Sequence, residues 1–340
     1  MFVACAKGDV DALRLLLDKG ADVNRADEAG VTPLFIVCLM GHVDAVRLLL
    51  ENGAAVDRAD KDGDTPLYYA CRQGHVDAAR LLLERGADIN QANQNGATTL
   101  ICACFNGLIG AVRLLLEKGA EVDRATKSGQ TPLWAACYGG HVDAVRLLLD
   151  KRAAVDRANK NDATPLYVAC WQGHVEPATL LLDNGAEVDR AMNDGRTPLI
   201  IACQQGHVDA ARLLLDNGAE VDRARKDGWT PLFVACWSGH VDAARLLLDQ
   251  GAEFDRVDTY GQTPLSIAKQ RGHSAIVALL ESRAVGGASA TVTPDGTPEK
   301  DASAAPAPAA TSREKEEAAD RAAAALLREE EEEAAARAKK

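Results

Sequence analysis

The sequence predicts an all-α solenoid of stacked helix pairs, about nine units long, and three observations carry that expectation. A Thr-Pro-Leu triplet or its near copy begins at Thr32, Thr65, Thr98, Thr131, Thr164, Thr197, Thr230 and Thr263, each 33 residues after the last. One period further back, Met1 falls on the Leu of an incomplete ninth copy. Every copy holds the start and stop signals of two short helices. The 340 residues are 47% hydrophobic but only 4% aromatic, and Leu and Ala supply most of the apolar content, which favours helix over sheet.

The copy beginning at Thr131 shows the elements in order. Thr131 suits a helix N-cap and Pro132 the first helical position. Leu133, Ala136 and Cys137 follow at i, i+3 and i+4 as an apolar stripe, and Gly139-Gly140 ends this first helix. Val142–Asp150 forms a second helix that carries Leu147, Leu148 and Leu149. In most copies a Gly then takes the left-handed position past the helix end, as at Gly119 and Gly185. The stretch up to the next Thr, with Asp-Gly or Ser-Gly near its end, reads as a projecting hairpin loop. One such unit cannot bury both faces of its helices, whereas stacked neighbours can.

These residues, G-x-T-P-L-x-x-A-x-x-G-H followed by Leu-Leu-Leu and Gly-Ala, resemble the ankyrin repeat over residues 1–283. The resemblance implies helix pairs with hairpin fingers and a concave groove lined by the fingers and first helices. It also implies that the Gly-His imidazoles hydrogen-bond between loops. Lys269, Gln270 and Arg271 make the last copy a polar cap, whereas the first starts mid-helix, as though the N-terminus were truncated. Residues 284–312 read as a disordered Gly/Pro/Ala/Thr linker, and 313–340 as a charged Ala/Glu/Arg helix or tail without a heptad seam.

Eight of nine cysteines follow the period, only Cys102 lying off it, and all seven histidines are in phase. Six copies thus carry Cys and His four residues apart. A structural zinc ion needs four ligands at about 2.0–2.3 Å, and neighbouring helices are ~8–10 Å apart, so neither metal ligation nor disulfides between equivalent cysteines are expected. Cys then stands as a small buried hydrophobe. With every His in a structural position and no nucleophile elbow or phosphate loop, the expected protein is not an enzyme, and no cofactor is implied. The recurrent Val-Asp-Arg runs read as a ladder of solvated charges.

The second helices are nearly verbatim, so individuality lies elsewhere. Aromatics sit three residues after the Thr phase (among them Trp134, Tyr167 and Phe233) and seven after it (Phe105, Tyr138, Trp171, Trp237). Two more, Trp229 and Tyr260, mark finger tips. Positions three and seven share one side of the first helix, which predicts stacked pairs Trp134–Tyr138, Tyr167–Trp171 and Phe233–Trp237. The three-after side chains face either a partner or the next copy. Exposed aromatics beside Arg72, Arg196 and Lys226 match the composition of binding hot spots.

The expected function is a scaffold or adaptor holding a protein partner on this groove. The alternatives are a regulatory or targeting arm of a larger enzyme or channel, and a structural spacer. A net charge of −12 argues against nucleic acid, and the longest apolar run, Leu34–Met40, is far short of the ~20 residues that span a bilayer. No small-molecule substrate is implied. Unpaired cysteines point to a reducing compartment, cytosol or nucleus. The weakest seams are expected where Thr99 replaces Pro, Leu108 replaces His, and Arg152 and Asp162 replace Gly, giving faster amide exchange over Thr98–Asp162 than over Thr197–Asp249.

Overall fold

The computed structural model describes residues 1–287, which form nine helix pairs, here repeats 1 to 9, with no strand among the described residues. First helices run Phe2–Lys7, Pro33–Met40, Pro66–Arg72, Thr99–Phe105, Pro132–Tyr138, Pro165–Gln172, Pro198–Gln205, Pro231–Ser238 and Pro264–Arg271. Second helices run Val10–Asp18, Val43–Glu51, Val76–Glu84, Ile109–Glu117, Val142–Asp150, Val175–Asp183, Val208–Asp216, Val241–Asp249 and Ser274–Gly287. Each first helix packs on its own second helix and, in repeats 2 to 8, on the first helices of both neighbouring repeats.

The caps form as the triplet dictates. In repeats 2 to 9 the Thr hydroxyl accepts the backbone N–H three residues on, for example Thr131 from Trp134 at 3.1 Å. In repeats 2 to 8 the first helices are largely apolar and mostly buried, whereas second helices bury one stripe, as with Ala144, Val145 and Leu148. The core is the layer between the two sets, where Leu133 and Leu148 are fully enclosed. Burying one such Leu contributes about 1.5–3 kcal/mol.

Fingers are hairpin turns without strands, each closed by a bond such as Asp27 N–H to Val31 O at 3.0 Å. Most begin with Asp, Asn or Thr, whose side-chain oxygen accepts amides inside the turn, as Asn93 does from Asn95 and Ala97. Successive fingers are joined backbone to backbone: Lys127 N–H donates to Asn95 O at 2.9 Å, and Lys160 N–H to Ser128 O at 2.9 Å. The equivalent bond from Asn193 to Asn161 is missing from this ladder. The cause is Asp162. At the preceding finger a Cβ on Gly129 would lie 2.9 Å from Lys160 N, so close approach needs glycine, and Asp162 carries a Cβ at φ 62°. Asp162→Gly is therefore expected to stabilise the protein by about 1 kcal/mol and to slow amide exchange at Asn193. Unchanged exchange would show that Asp162 does not set this gap.

Arg152 also adopts the left-handed conformation, φ 63°, as the sequence predicts. At the C-terminal end the polar cap is present: Lys269 and Arg271 are exposed, and Lys269 pairs with Glu281 at 2.8 Å. The last helix continues to Gly287, past the expected end at Arg283, because Ala284 and Val285 offer nothing that breaks a helix before the Gly-Gly pair. The remainder of the expected linker and the tail over 313–340 lie outside the described residues.

Candidate functional site

The periodic histidines bind repeat to repeat. Each Nε2 carries the ring proton and donates to the carbonyl 36 residues earlier, as from His207 to Trp171 O at 3.0 Å and from His174 to Tyr138 O at 3.2 Å. The acceptors are the carbonyls of the seven-after residues, so the backbone under the candidate site is tied to the following repeat. Burial, with His141 and His207 on either side, pushes the His174 pKa down, although its bond to Tyr138 opposes this. Leu108 has no ring N–H to give to the Arg72 carbonyl, so the histidine series is interrupted there.

The Val-Asp-Arg aspartates are not a solvated ladder. Asp57, Asp123, Asp156, Asp189 and Asp222 are half-buried, and each accepts a backbone N–H of the next repeat, as Asp189 does from Glu220 at 2.9 Å. Asn24 and Asn90 do the same job in their copies, accepting from Ala55 at 2.8 Å and Glu121 at 2.9 Å. The expectation failed because a regular charge at the edge of a turn looks identical in sequence whether it faces water or the next turn. Burial raises the pKa of Asp57, Asp156 and Asp189 against the lowering effect of these hydrogen bonds.

All nine cysteines are buried. Burial pushes the Cys102 thiol up to about 11 and that of Cys71 to about 12. Among the described residues no three His, Cys, Asp or Glu side chains are placed to hold a metal ion. At pH 7.5 the native protein is expected to leave Ellman's reagent unreacted on the minute scale, releasing nine equivalents only in denaturant; prompt labelling of Cys102 in native buffer would contradict this.

The aromatic residues fall into two clusters. In repeats 4 to 6 the Tyr138 ring lies 5.6 Å from Phe105 at 14° and 5.5 Å from Trp134 at 9°, and meets Trp171 edge-on at 6.4 Å. Trp134 (3% exposed), Tyr138 (7%) and Tyr167 (4%) are buried, which corrects the expectation that Tyr138 is solvent-facing and places the three-after residues Trp134 and Tyr167 inside the stack. Tyr138 is covered because Phe105 and Trp171 flank it from both neighbouring repeats. Phe105 and Trp171 remain half-buried.

The second cluster closes on itself. Trp229 lies 4.8 Å from Phe233 and 5.8 Å from Trp237, so the expected Phe233–Trp237 pairing is mediated by the finger tryptophan. Its Nε1 donates to the buried Asp258 carboxylate at 3.2 Å, and Arg225 sits over its ring at 4.9 Å while pairing with Asp227 at 2.6 Å. Arg271 covers Trp237 at 4.2 Å. Arg196 is bound to Asp194 at 2.6 Å, and Arg72 lies 5.8 Å from the Tyr69 ring. These arginines are held by carboxylates or aromatic rings, pairings that the sequence expectation did not include. Tyr260, 61% exposed, stands out at its finger tip. Gln204 separates the two clusters, its buried Oε1 without a partner among the described residues.

Sequence reasoning missed Arg225, Asp227, Asp258 and Arg271. A signal was present: Met192 and Arg225 interrupt the Asp, Asn or Thr that heads the other fingers, and in these two fingers Asp194 and Asp227 take over by accepting the amides of Arg196 and Trp229.

A family model described as ankyrin repeats in three copies matches residues 1–93, 60–126, 100–192, 188–258 and 221–293. The chain is similar to the crystal structure of the human ASB11 ankyrin repeat domain, at 31% identity and a TM-score of 0.60, covering 69% of this chain and 100% of that one. No curated protein matches the chain. The 33-residue period, the capped helix pairs, the linked fingers and these matches establish that this chain belongs to the ankyrin-repeat family.

Proposed function

We infer that the protein is an adaptor that holds a partner protein on the face shared by its first helices and fingers. Ankyrin repeats are in general protein–protein interaction modules, and the fold is typically a non-catalytic scaffold. The observation that supports the finer reading is the recurrence of half-buried Phe105, Trp171 and Trp237 and exposed Tyr260 on this one face. Large aromatic rings left partly in water are the side chains that a partner's surface covers most profitably. The second helices are nearly identical from copy to copy and hold the stack. Buried, unpaired thiols in every repeat but the last support action in a reducing compartment, cytosol or nucleus.

The test is affinity capture with mass spectrometry on the full chain and on Trp171→Ala with Tyr260→Ala. A defined set of proteins should be recovered by the wild type and lost by the double variant, with circular dichroism unchanged. Equal recovery by both would place the interface elsewhere.

A further inference from the structure

We propose that the middle of this face, at repeats 5 and 6, takes an extended segment bearing carboxylates beside a large apolar side chain. This rests on the adaptor reading and specifies the chemistry of the partner. The chain carries a net charge of −12, yet its fingers are not uniformly acidic. The finger before repeat 2 carries Asp27 and Glu28, and the next carries Asp60 and Asp62 around Lys61, with Asp64 buried behind them. Those over residues 93–97 and 126–130 hold no carboxylate, and that over 159–163 holds only Asp162.

In this window Lys127 and Lys160 are exposed, and neither forms an ion pair among the described residues. The arginines of the face are already engaged, Arg196 by Asp194 and Arg225 by Asp227. The two ammonium groups stand on neighbouring fingers locked together by the Lys160 N–H to Ser128 O bond. The first helices behind them carry Tyr138 and Trp171, of which Trp171 is only half covered.

Adjacent repeats are about 10 Å apart at helix-packing distance, and an extended polyproline II segment returns to the same face every three residues, an advance of about 9 Å. Carboxylates three residues apart on an extended segment therefore meet Lys127 and Lys160 in turn, while a side chain between them reaches Trp171. A basic segment finds no free carboxylate cluster here, and the acidic fingers that could receive one lie before repeats 2 and 3.

Selection of a displayed random dodecapeptide library on the wild-type protein tests this. Enriched peptides should carry two or more Asp or Glu with a Leu or aromatic residue between them. Their affinity should fall at least tenfold in Lys127→Glu with Lys160→Glu and weaken as salt rises from 50 to 500 mM. Both lysine side chains are exposed, so that variant should keep the wild-type circular dichroism and melting curve. Basic or neutral peptides that bind and are lost in Trp171→Ala would overturn the acidic partner and leave the adaptor reading standing. Acidic peptides indifferent to the lysine reversal, or no enrichment over a control protein, would overturn the proposal.

Discussion

Gly206→Ala is expected to destabilise the array by about 3–4 kcal/mol, and Gly218→Ala by only about 1–2 kcal/mol. Both glycines are left-handed, at φ 76° and 87°, so the conformational penalty is shared. Their surroundings differ. A Cβ on Gly206 would lie 2.5 Å from His240 Nδ1, whereas one on Gly218 meets nothing within 4 Å. The imidazole would have to leave, losing its 3.0 Å bond to Gln204 O and stripping that carbonyl of its inter-repeat donor. Urea denaturation of the two variants checks this, and because a stack yields locally, amide exchange at the repeat 7–8 junction should rise with the loss. Equal destabilisation by the two substitutions would show that the imidazole contact contributes nothing beyond the backbone strain.

Trp134→Ala should be the most damaging of the aromatic truncations, at about 3–5 kcal/mol, against about 1–2 kcal/mol for Trp171→Ala. Trp134 is enclosed and stacked on Tyr138, so its removal leaves a buried cavity beside that ring. Trp171 is only half-buried, so its truncation gives up less packing. Trp134→Phe separates volume from polarity. The indole Nε1 is buried without a hydrogen-bond partner among the described residues, a penalty of about 1–3 kcal/mol that Phe abolishes. Trp134→Phe should therefore stay within about 1 kcal/mol of wild type, since the lost volume and the removed orphan donor oppose each other. If Trp134→Ala melts like the wild type while Trp171→Ala unfolds, the assignment of core and surface is reversed.

The sequence by itself determined whatever is local and periodic. Threonine caps, proline starts, glycine stops and the leucine load of the second helices each act within a few residues, so a 33-residue comparison exposes them without a third dimension. Arg152 and Asp162 were legible for the same reason: a non-glycine at a position needing positive φ stays there because the rest of the unit dictates the turn.

The tertiary structure decided everything that depends on what the next repeat offers across the seam. Tyr138 and Trp171 occupy the same place in their copies, yet one is buried and the other half-exposed. Tyr138 has an aromatic ring in that place on both neighbours, and Trp171 has Tyr138 on one side and Gln204 on the other. The aspartates of Val-Asp-Arg became inter-repeat acceptors, and Arg196 and Arg225 found carboxylates in their own fingers. Burial and hydrogen bonding are properties of pairs of side chains from different repeats, and a column of equivalent residues records only one member of each pair.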